Sequence, residues 1–515
     1  MIRAFVLLGV LAALQVPSVA TRLQVIGGDL LTGVNTSVLI TSPTSSATYD
    51  NGTSDTVALA GGAASDRAIT VCTWTNSLGG SGTATGTNSW SASVTGLSVG
   101  DNVITVTCPN AGGGTGSDIL TVTRASAAAG CEPTAGGGTL RYVRKGATGA
   151  NNGTNWTDAW SEMSSVSYAS LSGGGTIYVA AGNYVTGLPT LSTANVTIQR
   201  ATVSVHGTST GWSDAFDGQA NVTPPAEDNF LVINTTADNF TLDGAACDPW
   251  KFRIVGVRGY DGMLRNEGAD NVLIRGMEFD GMDETTAEGG PEDGLRWMGG
   301  ADNIIEHNYI HDYQQNVGAH NDGIQGPSCT RITLRYNTWR NNGMHIFLGD
   351  EAWDNQYCNG ITIHHNIFYN DSGGDGSYNC IVFKGTNLGG TFTTKIENNT
   401  FNLRAQGQVF YLADSPSPGC CNNLTNGFFR NNLIYDSDFG DVTFYTHVNN
   451  LYCLGGSPTE TGKVTTNPLF TNLGSNIYTL QAGSPAVGAG TNLSYTIDYA
   501  GTSVSNPPEM GAFER

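Results

Sequence analysis

The second half of the chain repeats one short phrase, an aliphatic pair followed by Asn and further apolar residues. It reads Ile304-Ile305-Glu306-His307-Asn308-Tyr309-Ile310, and returns around Asn337, Asn366, Asn399 and Asn432 at intervals of 29, 29, 33 and 33 residues. A related segment, Val272-Leu273-Ile274-Arg275-Gly276, precedes them. One alternating strand per interval, with connections of changing length, is the pattern of a parallel β-solenoid. Such a core grows in one dimension, which lets a 515-residue chain stay packed without one oversized centre. The Asn marks are expected to be structural, because side-chain amides in stacked turns can bond one another along the axis. His307, His364 and His365 beside them read as surface or turn residues.

Composition supports an all-β chain: 69 Gly and only 13% charged residues. A net charge of −21 with five lysines argues against nucleic acid, which needs a basic face. At the start, Arg3 precedes the apolar run Ala4–Leu14, and Ser18 and Ala20 offer a cleavage point. Residues 1–20 therefore read as an export signal, too short to span a bilayer, and the protein as secreted, extracellular or periplasmic. Export makes the ten cysteines disulfide candidates, Cys72–Cys108 first among them. Oligomeric state is not legible.

Residues 35–125 carry short alternating segments separated by turns, including Ile69–Trp74, Trp90–Val94 and Val103–Thr107. Through Cys72-Thr73-Trp74 and Gly96–Asn102 they resemble bacterial immunoglobulin-like β-sandwich modules attached to secreted carbohydrate-active enzymes. Trp74 is expected in the core of that sandwich. A Gly/Ala-rich linker follows at 126–138.

From residue 139 the chain resembles secreted, pectate-lyase-like right-handed parallel β-helix proteins. Leu140–Val143, Asn151–Trp156 and Gly175–Tyr184 look like the entry coil, with Ala159–Tyr168 as an amphipathic cap helix. Asn476–Leu480, Gly483–Ala486 and Met510–Glu514 look like the closing segment. The resemblance implies one right-handed β-helix over 139–515, and an activity on polysaccharides. Fold alone does not choose the chemistry.

Counting back from the Asn marks pairs Asp293 with Asp322 on neighbouring strands. Alternation then sends Leu295 and Ile324 inward and Arg296 and Gln325 outward. The expected catalytic column holds Arg296, His320, Asp322, His345 and Lys384, with Gln325, Trp297 and Asp350 contacting substrate. Asp280, Asp283, Glu284, Glu288, Glu292 and Asp293 crowd one acidic stretch, a possible Ca²⁺ site of oxygen ligands set against a solvated acidic loop. The leading expectation is a lyase that cleaves an anionic, uronic-acid polymer by β-elimination, with Arg296 or Ca²⁺ neutralising the carboxylate and His345, Lys384 or His320 as base. The alternative is a hydrolase. Asn321–Gly323, Gly343–His345 and Phe383-Lys384 look like polygalacturonase motifs, although that family's Asp-Asp pair is absent and Met344 interrupts its Gly-His-Gly. A third reading is a non-catalytic glycan-binding or adhesive solenoid.

Overall fold

A computed structural model describes residues 36–50, 56–97, 100–124, 137–171, 173–207, 209–225, 228–246, 249–256, 262–281, 293–313, 321–349, 358–371, 379–384, 394–404, 407–413, 427–440 and 445–515. They fall into two compact units that divide between Ser126 and Ala127. In the first, two sheets share one core. Leu59, Trp90 and Val94 from one sheet meet Trp74, Ile104 and Leu120 from the other. Trp74 is 7% exposed, on the inside as expected. Cys72 and Cys108 are bridged beneath it.

The second unit is a right-handed parallel β-helix. Three parallel sheets run its length among the described residues. Sheet I extends from Thr139–Val143 to Tyr445–Val448, sheet II from Gly182–Tyr184 to Leu451–Cys453, and sheet III from Leu231–Ile233 to Asp438–Gly440. Each coil contributes one inward residue per sheet to a continuous column. On sheet I these are Ile274, Ile305, Leu334, Ile363, Ile396 and Phe429. On sheet III they are Leu264, Leu295, Ile324, Ile346, Ile381 and Phe410, all buried. Aromatics stack inside sheet II, with Phe368 and Phe401 ring centres 4.9 Å apart and nearly coplanar.

The Asn repeat forms the turn between sheets I and II. Each side-chain amide donates to the side-chain oxygen of the next coil, from Asn308 through Asn337, Asn366, Asn399 and Asn432 to Asn450, at 3.0–3.1 Å. The chain turns there because the preceding residue is left-handed. His307, Tyr336, His365, Asn398, Asn431 and Asn449 have φ between 51° and 57°. The ladder ends on Glu460, whose carboxylate accepts from Asn450.

Two expectations need correcting. Ala159–Tyr168 forms no cap helix; the chain makes 3-10 turns at Met163–Ser165 and Tyr168–Ser170. Ser161, Ser164, Ser165 and Ser167 favour such turns because their hydroxyls compete with helical bonding. His364 and His365 are not surface residues, at 3% and 1% exposure. The C-terminal segment folds back over this edge, and Tyr495 stacks on His364 at 4.4 Å. The same segment packs Phe470, Tyr478, Leu480 and Met510 on Ile367, Leu433 and Leu451, the apolar outer side of sheet II. Cys329 and Cys358, in register on neighbouring coils, form a second disulfide.

Candidate active site

From Asp280 to Leu451 the longer stretches between strands all lie next to sheet III in the chain. Those between 281 and 293, 313 and 321, and 371 and 379 lead into it, and those between 349 and 358, 384 and 394, and 413 and 427 lead out. Sheet III therefore adjoins the stretches of most variable length in this part of the chain, and sites are often found where variable chain meets a rigid scaffold.

Asp293 and Asp322 are paired in register, as are Arg296 and Gln325. Strict alternation breaks between them, because Gly294 and Gly323 face the core rings of Tyr313 and Trp339 just as Leu295 and Ile324 face inward. This leaves the buried aspartates within reach of Arg296. Neighbouring parallel strands lie about 4.8 Å apart, so the four side chains form one compact patch. Arg296 donates to Asp293 at 3.2 Å and to the Gln325 carbonyl. Its side chain is 12% exposed and that of Asp293 2%. The Asp322 amide donates to Asp293 at 3.1 Å.

Asp322 stands in a different environment. It is fully buried, and neither carboxyl oxygen has a well-formed hydrogen bond. Burial raises its pKa well above the carboxylate range and the Asp293 charge adds to this; Arg296 and the nearby Met344 amide offset only part. Two in-register carboxyl groups therefore differ in kind, one ion-paired and one whose burial favours its neutral form. Environments that separate two carboxyls in this way mark an acid and its partner.

His345 corrects an expectation. Met344 is in register with Asp322 and Ile346 with the inward Ile324, yet His345 turns into the core as well, level with Gly323, where a Cβ would meet the buried Trp339 ring. His345 is fully buried, its ring 5.7 Å from Phe368 and its Nδ1 3.0 Å from the Asn342 amide. Burial pushes its pKa down to about 3. Trp297 is likewise in the core rather than at the substrate, because alternation puts it on the same side as Leu295. The Lys384 backbone closes its strand two residues beyond Val382, in register with Ala413. His320, Asp350, Asp283, Glu284, Glu288 and Glu292 lie outside the described residues.

Of the expected Ca²⁺ ligands, Asp293 is paired with Arg296, and Asp280 belongs to a cluster on sheet II. Asp280 and His311 are in register there, and Glu278, Asp280 and His311 offer ligand atoms within 4.8 Å of one another. The cluster is already supplied with positive charge, because Arg253 pairs with both Glu278 and Asp280. His311 bonds Asp312 at 2.7 Å and Glu278 at 3.2 Å. Burial lowers its pKa, but these bonds and the Asp280 charge outweigh burial and raise it overall. Glu278, Asp280 and His311 could hold a metal ion, sharing their carboxylates with Arg253. Sequence reading missed His311, although counting three residues past Asn308 and aligning coils places it beside Asp280.

Tyr313 was also missed. It is fully buried against Gly294, where a Cβ would lie 3.0 Å from its ring. Its hydroxyl feels the charges of both Asp280 and Asp293. It thus sits between the two clusters, under the ends of the acidic connection.

No protein-family model matches the chain, and no curated protein matches it. Among solved structures it is similar to the catalytic unit of a thermostable GH87 alpha-1,3-glucanase from Streptomyces thermodiastaticus. Identity is 13%, covering 84% of this chain and 80% of that one, with a TM-score of 0.33. The Agl-KA catalytic domain is similar at 13% identity, 80% and 77% coverage, and a TM-score of 0.31. So distant a likeness carries no argument about activity.

Proposed function

We propose that this chain is a secreted glycoside hydrolase that cleaves a polysaccharide lying along the outer side of sheet III. The supporting observation is the Asp293–Asp322 pair, in register on neighbouring coils yet in opposite environments. Asp322 carries the proton that the glycosidic oxygen takes as its bond to the anomeric carbon breaks. Asp293 is the carboxylate that attacks that carbon or activates water against it. Arg296 orients Asp293 through their ion pair, and Gln325 holds Arg296 from the next coil. The Cys72–Cys108 and Cys329–Cys358 disulfides agree with export into an oxidising compartment.

Hydrolysis is preferred to β-elimination for a physical reason. Elimination needs a base at the sugar and a cation for its carboxylate. Among the described side chains His345, one of the three expected bases, faces the core, and Arg296 pairs with Asp293 and Gln325.

The test is product analysis on a panel of neutral glycans, pectate, alginate and chondroitin. New reducing ends without the ultraviolet absorbance of unsaturated ends are expected. Asp322→Asn should lower turnover by about 10²–10⁴-fold, the usual contribution of a positioned acid, with melting intact at neutral pH. Unsaturated products would establish a lyase instead. Asp322 is closed from solvent in the free protein, so retention of activity in Asp322→Asn would make its role structural and end this reading.

A further inference from the structure

Sheet III continues upstream of the Asp pair, and its outer side leads to a cavity. Val232 is in register with Arg265, and Arg265 with Arg296. Two strand spacings, about 10 Å, therefore separate Val232 from the coil that carries Asp293. Val232 is one wall of a cavity of about 390 Å³, within the roughly 300–1,000 Å³ of small-ligand sites.

The rest of the cavity is assembled by segments tied down on this face. Ser164, in the 3-10 turn Met163–Ser165, donates its amide to the Thr186 hydroxyl at 3.1 Å. The stretch after Thr186 is stitched to sheet III by Leu188 to Phe230 at 2.7 Å and Leu191 to Val232 at 2.9 Å. Gly187 permits this approach, since a Cβ there would stand 2.3 Å from the Asn229 carbonyl. Asn229 is itself held by the Gly262 carbonyl. The cavity is thus preformed by backbone contacts and needs no rearrangement to exist.

Its chemistry selects among sugars. Ser164, Thr186, Thr190 and Asn229 offer hydroxyl and amide groups, while Pro189 and Val232 supply apolar wall. A pyranose presents the same combination, hydroxyls at its edge and C–H groups on its face. Among the described residues no lysine or arginine lines the cavity, and Asp228 is the one ionisable residue in its wall. That carboxylate would repel the acid group of a uronic acid. The cation one coil away, Arg265, is paired with Glu267 at 2.6 Å.

We infer that this cavity is a distal subsite for an uncharged hexose unit of a polymer whose scissile bond lies at the Asp293–Asp322 pair. The substrate is accordingly a neutral polysaccharide and not the uronic-acid polymer that the sequence suggested. This rests on the hydrolase reading for the location of cleavage, but binding in the cavity can be measured without turnover.

The experiment is calorimetric titration of the full chain, in the Asp322→Asn background, with cellotriose, laminaritriose, maltotriose and trigalacturonate. Ser164→Trp and Thr190→Trp, both at exposed positions, each fill the cavity from a different side. Binding of at least one neutral trisaccharide is expected, weakened at least about tenfold by either tryptophan. Trigalacturonate should not bind. The inference fails if no neutral trisaccharide binds, if both tryptophan variants leave neutral binding unchanged, or if trigalacturonate binds and either tryptophan removes it. Retained turnover in Asp322→Asn with this binding pattern intact would sink the hydrolase reading alone.

Discussion

At the scale of the residue, Asp322 concentrates the chemistry of this protein. A carboxyl without hydrogen-bond partners is tolerable in a protein interior only as the neutral acid. The sign of the resulting pH dependence follows. Its folded pKa is raised, so its contribution to stability is complete below the unfolded carboxylate range and is lost as pH rises through the folded value. Asp322→Asn, which is neutral at every pH, should melt close to the wild type in acid and above it in alkali. Parallel melting curves against pH would show that Asp322 is not held neutral. His345 illustrates the opposite outcome for a residue singled out early. An imidazole beside Phe368, pushed down to about 3, does not take a proton from a substrate on the outer face.

At the scale of the element, the Asn ladder and the C-terminal segment hold the coils in register. Asn399 donates to Ile363 and Asn432, and accepts from the amide and side chain of Asn366. Asn399→Ala leaves several of these buried groups unpaired, at about 1–3 kcal/mol each. A loss of at least about 2 kcal/mol in denaturant unfolding is expected; a loss below half of that would make the ladder decorative. The C-terminal segment carries its own titration. Burial, then Glu514, raises Glu509 to about 7, and burial raises Asp498 to about 6. Both contribute stability that is complete in acid and lost as pH rises through those values. Glu509→Gln should therefore slow hydrogen exchange of residues 484–515 at pH values above about 7, with little change in acid. An equal effect at both pH values would exclude this titration.

At the scale of the whole molecule, the two units have separate cores, one shared by two sheets and one running the length of the solenoid. Deleting residues 21–130 should leave the solenoid's cooperative melting in place, as followed by circular dichroism. Its loss would mean that the units do not fold independently. The solenoid also places site and scaffold at different levels. Its coils repeat, while the connections at 281–293, 313–321 and 349–358 differ from one another and cluster on one sheet.

The repeat of Asn308, Asn337, Asn366, Asn399 and Asn432 was enough to specify the solenoid, the amide ladder and the register of Asp293 with Asp322. All three follow from local periodicity, because each coil reproduces the hydrogen bonding of the one before it. Even the alternation that puts Leu295 inside and Arg296 outside was legible. What the sequence did not contain was the break in alternation at the start of the sheet III strands: His345 turns into the core beside the equally inward Ile346, as Gly323 does beside Ile324. The core position of Trp297 was legible, since period two puts it on the side of Leu295. Three-dimensional packing alone decided that Arg253 and His311 join the acidic cluster, that neither Asp322 oxygen has a well-formed hydrogen bond among the described residues, and that the Ser164, Thr186 and Asn229 segments line an open cavity. These are contacts between coils whose spacing varies with loop length, and their electrostatics depend on burial, which no single strand carries in its own residues.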